Sequence, residues 1–157
     1  IRVYISRSMD HLHILSAMTI CFARGVNDTP KLTALLLAAQ ILQPTTSIAV
    51  IGLAMAGGGL LFAKRVARTM SQRITKMNHT QGLTANLITA SLVLVASKFG
   101  FPVSTTHVSV GSIVGVGVGV GAGAKTLNWK TLHNILLSWI GTLPLAVWTA
   151  WLLSSVL

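Results

Sequence analysis

The chain has 157 residues, 52% of them hydrophobic and 9% charged, with a mean hydropathy of +0.73. A water-soluble domain covers its surface with about a quarter charged residues, and low charge with high apolarity also excludes a disordered tail. Twelve Lys and Arg against two acids, Asp10 and Asp28, leave a net charge of +10. The basic residues fall in short islands between long uncharged runs, so membrane topology accounts for them and a nucleic-acid partner is not expected.

Four runs contain no Asp, Glu, Lys or Arg: Leu32 to Ala63, Met77 to Ser97, Phe99 to Ala124 and Thr131 to Leu157. Each reaches the roughly 20 residues that cross a bilayer core. Only the first needs cutting, at Gln43-Pro44-Thr45, which has turn chemistry. The single cysteine, Cys21, excludes a disulfide framework or a thiol pair. Ile1 is not a start methionine, and a fragment of a longer chain is expected.

The first element is expected from His11 to Leu42, broken near Arg24 to Lys31. Unbroken, it would be about 48 Å long, beyond a hydrocarbon core of roughly 30 Å. Gly25, Asn27, Asp28 and Pro30 suit a break, with Thr29 as N-cap and Pro30 opening the next half-helix. A second span follows from Thr46 to Ala63. The basic segment 64–80, with Lys64, Arg65, Arg68, Arg73 and Lys76 and no acid, reads as a cytoplasmic loop that orients the protein. Two spans earlier, the N-terminus with Arg2 and Arg7 then lies on the cytoplasmic side. Two apolar arms, 81–97 and 103–124, form either two spans or a re-entrant hairpin, and a last span covers 134–157. The crossing number is odd, so a second copy of the unit would be inverted, the plan of many secondary transporters.

Two polar clusters interrupt this apolar frame. Arg24, Asn27, Asp28 and Lys31 lie between apolar half-helices, where a charge costs at least ~2.5–3.5 kcal/mol and either pairs or carries function. The plainer reading is an Arg24–Asp28 pair at i, i+4 with Lys31 reaching away. The other is a broken helix beside protein or a water-filled cavity, where freed backbone groups are tolerated. Pro102-Val103-Ser104-Thr105-Thr106-His107 opens a helix, whose unpaired N–H groups and positive dipole end favour an anion. Ser104, Thr105 and Thr106 add donors without charge, although alone such residues are more often simple caps. His107 reads as a packed or hydrogen-bonded residue, with a proton relay open. Gly111, Gly115, Gly119 and Gly123 form a small-residue stripe, expected to let a neighbouring helix approach.

Phe22-Ala23-Arg24-Gly25-Val26-Asn27-Asp28 resembles the G-A-N-D signature of the inorganic phosphate transporter (PiT) family, and Gly100-Phe101-Pro102-Val103-Ser104-Thr105-Thr106-His107 resembles its P-V-S-T-T-H signature. The family carries one copy of each in two inverted halves, and this chain looks like the C-terminal half. The resemblance implies an all-helical, polytopic membrane protein, one half of an inverted-repeat transporter with a broken helix and a re-entrant hairpin. It implies secondary transport of inorganic phosphate coupled to sodium or protons, with no cofactor. Asn27 and Asp28 would lie at the ion and substrate site, Asp28 as the cation partner, with Ser104, Thr105 and Thr106 on phosphate oxygens. The partners are then phosphate, the lipid bilayer, and the other half of the transporter or a second protomer, in a plasma or inner membrane. A sulfate carrier, a channel and a structural subunit are the alternatives; no enzyme motif is present.

The family pattern continues N-D-V-A-N, whereas this chain reads Asn27-Asp28-Thr29-Pro30-Lys31. The Lys31 ammonium would either take the place of a coupling cation or neutralise the anion, and sodium dependence in this half is expected to weaken. Arg24 replaces a histidine common in the family and would add a second positive charge near the anion.

Overall fold

The computed structural model describes residues 2–40, 42–75, 77–120 and 123–156. Among these, five α-helices carry the architecture: α1 (Arg2–Ala38), α2 (Pro44–Arg68), α3 (His79–Lys98), α4 (Thr105–Val120) and α5 (Trp129–Val156). A π-helical turn, Thr69–Arg73, extends α2, and a 3-10 turn, Gly123–Thr126, follows α4. The molecule is all-α.

Local chemistry sets these ends. Pro44 opens α2 behind an extended Gln43, and Gln40 takes a positive φ of 54° in the turn after α1, so a rigid φ and an αL residue together separate the two helices. Asn78 and Gln81 close a capping box on α3, the Gln81 N–H donating to Asn78 at 2.9 Å and the Asn78 N–H to Gln81 at 3.0 Å. Gly100, at φ 73°, turns the chain between α3 and α4, a conformation that only glycine adopts without strain.

Two expectations are corrected. The first helix is not broken at 24–31: α1 keeps helical geometry through Pro30, 37 residues in all. Pro30 withholds one N–H from the ladder, but Arg24, Asn27, Thr29 and Lys31 find partners on α2, α4 and the turn before α4, so no free backbone is needed to satisfy them. Thr29, expected as an N-cap, instead reaches the Met55 sulfur on α2 at 3.6 Å. The basic segment is not a loop throughout, since Lys64, Arg65 and Arg68 lie on α2 and Arg73 on the π-turn. Lys and Arg are good helix formers, and near a helix C-terminus their charge meets the negative dipole end. Lys76 lies outside the described residues.

Packing centres on α3. Ala85 joins Ile74, Val110, Ile113 and Val116 in one buried cluster, and Ala90 and Val93 join Ala23 of α1 in a second. In lipid, where apolar burial drives little, small residues that allow close approach decide which helices pack. Gly82 does this for α1 and α3, since a Cβ there would come within 2.9 Å of the His13 ring. The expected glycine stripe does not. A Cβ on Gly111, Gly115 or Gly119 would meet nothing within 4 Å, whereas one on the interleaved Gly117 would lie 3.2 Å from Thr75.

That Gly117 contact belongs to a small clamp beneath the bundle. Thr75 and Leu127 form an antiparallel bridge, the Asn128 N–H donates to the Ile74 carbonyl at 2.9 Å, and the Thr75 hydroxyl donates to the Thr126 carbonyl at 3.2 Å. Ile74 is consequently 1% exposed. Replacing it by valine removes one buried methylene, and Ile74→Val is expected to cost roughly 0.5–1.5 kcal/mol, read as a lower thermal midpoint in detergent.

The outside is apolar. Leu53, Leu60, Leu61, Leu143 and Val147 are all more than two-thirds exposed, which a protein in water does not sustain over whole helices. Helices α2, α3 and α5 are long and apolar enough to cross a membrane. Helix α4, with 16 residues, is about 24 Å long. The chain is an integral membrane protein.

Candidate substrate site

The two polar clusters meet where the turn between α3 and α4 packs on the middle of α1. Asn27 is the pivot, 5% exposed. Its amide donates to the Asp28 carboxylate (Oδ1) at 2.8 Å and to the Val103 carbonyl at 2.8 Å. The Ser97 hydroxyl, which donates to the Val93 carbonyl at 2.8 Å, lies 3.4 Å from Asn27 Oδ1. A buried amide with all sides engaged fixes its rotamer and ties the turn to α1.

Lys31 converges on the same two oxygens. Its ammonium donates to Asp28 Oδ1 at 3.2 Å and to the Val103 carbonyl at 2.7 Å. Lys31, not Arg24, is therefore the ion-pair partner of Asp28. Continuous helix puts residues three and four apart on one face, so Arg24 and Lys31 both flank Asp28, and the hairpin decides between them. The Val103 carbonyl offers an acceptor on the Lys31 side, while Arg24 donates across to Ser109 of α4 at 3.1 Å. The Arg24 Nε is buried without a hydrogen-bond partner.

The three hydroxyls of the second cluster take different roles. Thr105 is buried and its hydroxyl lies 3.4 Å from Asp28 Oδ2. Ser104 is exposed and caps the helix, accepting the His107 N–H at 3.4 Å, with the His107 ring Nδ1 at 2.6 Å from its oxygen. Thr106 is exposed on the first turn. His107 stacks on Trp139 of α5, centroids 3.6 Å apart, so the last helix supports the tip. Sequence reasoning missed Ser97, Ser109 and the Val103 carbonyl. Ser109 was within reach of it, since it lies four residues after Thr105 and therefore on the same face.

The assembled site holds two positive side chains and one negative, with the start of α4 between them. Its first N–H groups and the spare donors of Arg24 suit an anion; the oxygens of Asp28, Val103 and Thr105 suit a cation. Among the described residues no group of three His, Cys, Asp or Glu could hold a transition metal.

The chain is similar to known proteins over most of its length. The model of the phosphate transporter family matches residues 3–150. The chain is 32% identical to inorganic phosphate transporter 2-1, chloroplastic, of Arabidopsis thaliana, covering 94% of this chain and 28% of that one. It is 33% identical to sodium-dependent phosphate transporter 2 of Xenopus laevis, covering 89% and 24% respectively. It is 34% identical to sodium-dependent phosphate transporter 1-A of Danio rerio, covering 90% and 23%. The chain thus spans only about a quarter of the length of these relatives. No solved structure matches it. With both signatures meeting in one site and the family model covering nearly its whole length, the chain belongs to the phosphate transporter family.

Proposed function

We propose that this chain is the anion-handling part of a secondary transporter that moves inorganic phosphate, coupled to sodium or protons. The observation that carries the reading is the junction itself: Asn27 and Lys31 of α1 both bind the Val103 carbonyl beside the start of α4. Ionisable groups held inside an apolar bundle are costly and mark ion pathways. Phosphate would lie at the first turn of α4, against Ser104, Thr105 and Thr106, with Arg24 supplying positive charge and Asn27, Asp28 and Lys31 organising the cation side.

The short α4 favours a re-entrant arm whose tip stops inside the bilayer. Alternating access would then move the hairpin against α1, exposing the site to each side in turn. The unit would pair with an inverted second half or a second protomer, in a plasma or inner membrane. Lys64, Arg65 and Arg68 would lie at the cytoplasmic face and set the orientation.

Radiolabelled phosphate uptake into proteoliposomes tests the reading, with sulfate as competitor and a sodium and pH series. Saturable uptake that depends on a sodium or proton gradient is expected, falling sharply in Ser104→Ala with Thr105→Ala. Ohmic flux, or full uptake by that double variant, would favour a channel. Stronger competition by sulfate than by phosphate would reassign the substrate.

A further inference from the structure

We propose that the Lys31 ammonium is a built-in cation, seated in an oxygen site that would otherwise take a small monovalent metal ion such as sodium. The proposal deepens the transport reading and shares its site. Sequence alone leaves Lys31 two roles, substitute for a coupling cation or counter-charge for the anion. Geometry separates them. The ammonium lies on Asp28 Oδ1 and the Val103 carbonyl, at 3.2 and 2.7 Å, and the second carboxylate oxygen lies 3.4 Å from the Thr105 hydroxyl.

Carboxylate, backbone carbonyl and hydroxyl are hard oxygen donors, the kind that hard cations take. Unwound backbone carbonyls coordinate coupling ions in membrane carriers. Val103 sits in the non-helical turn just before α4. The ammonium thus satisfies oxygens that a metal ion would satisfy. Its charge is neutralised locally by Asp28, so it has little left for an incoming anion. Arg24 is the better counter-charge, because its Nε is buried without a partner and Ser109 occupies only one of its nitrogens.

Two consequences follow. Asp28 needs no free ion to be compensated, so this half consumes no sodium at the site. A neutral residue at 31 strands the carboxylate, and a stranded carboxylate in a membrane recruits a cation or destabilises the fold.

The test uses purified protein in detergent, with thermal midpoints measured across a sodium chloride series and choline chloride holding ionic strength constant. Lys31→Asn is expected to gain a saturable, sodium-specific upward shift of a few degrees that the native protein lacks. Asp28→Asn with Lys31→Asn removes both charges and should abolish the gain. Lys31→Arg keeps a resident cation and is expected to respond as the native protein does, which keeps the proposal open to refutation should Lys31→Asn fail to fold. A sodium response unchanged in Lys31→Asn, or a gain in Lys31→Arg, would overturn it. Radiolabelled phosphate binding to the same samples separates this from the transport reading. Absent phosphate binding with an intact sodium gain counts against phosphate alone, and intact phosphate binding without the gain counts against Lys31 alone.

Discussion

Asp28→Asn is expected to lower phosphate uptake by about 100-fold, equivalent to roughly 2.7 kcal/mol at the rate-limiting barrier. Oδ1 of Asp28 accepts from both Asn27 and Lys31, and Oδ2 faces Thr105, so one carboxylate holds α1 and the tip of α4 in register. An asparagine keeps the shape and removes the charge. The Lys31 ammonium then sits in an apolar bundle without an anion. Removing one partner of a fully buried pair costs roughly 3–5 kcal/mol. The two side chains here are 34% and 32% exposed, so the lower end of that range, or somewhat below it, is the fitting scale. Initial rates of radiolabelled uptake at matched protein density read the effect. Uptake within twofold of the native protein would remove Asp28 from the site.

Asn27→Asp is expected to be the most damaging change of its size in the chain. The two side chains have nearly the same volume, so packing is not at issue. What changes is the sense of the hydrogen bonds. The Asn27 amide donates to two acceptors, Asp28 Oδ1 and the Val103 carbonyl; a carboxylate would turn acceptor against acceptor at both. Each stranded buried group costs roughly 1–3 kcal/mol, and a second negative charge beside Asp28 adds repulsion that Lys31 alone cannot offset. Asn27→Ala removes the donors but brings no charge, so it is expected to fall between the aspartate variant and the native protein. Thermal midpoints and folded yield after purification give the order. An aspartate variant as stable as the native protein would mean that the junction does not hold the two helices together.

The membrane architecture was legible because bilayer physics writes it in composition. Runs of twenty or more uncharged residues admit few alternatives to helix, and Pro44 marks a turn by local chemistry alone. The break expected in α1 fails for a reason that no local window contains. Gly25, Asn27, Asp28 and Pro30 are turn formers in isolation, but the partners that let them stay helical, Val103 and Thr105, lie more than seventy residues away. The same distance hid the partner of Asp28: spacing along α1 offers Arg24 and Lys31 equally, and the hairpin carbonyl selects Lys31.

The glycines show the opposite error. The period of four in Gly111, Gly115 and Gly119 predicts a packed face, yet that face is open and the close approaches fall on Gly82 and Gly117, which belong to no repeat. Periodicity reports which residues share a face and says nothing of whether a neighbour covers it. Arg24, Asn27, Asp28 and Lys31 stand out from the cost of polarity in lipid and Thr105 as a donor at a helix start, and their contacts bring the five together near the start of α4. Ser97 and Ser109 escaped because single hydroxyls in apolar runs are cheap and common in membrane helices.

A double-mutant cycle on equilibrium phosphate binding tests most directly whether α1 and the tip of α4 form one site. Dissociation constants would be measured for the native protein, Asp28→Asn, Thr105→Ala and the double variant. Residues sharing one network show interaction energies of roughly 0.5–3 kcal/mol, whereas independent sites add. Each single change is expected to weaken phosphate binding, and the double variant to lose clearly less than the two losses combined. Losses that simply add, or phosphate binding indifferent to both changes, would contradict it.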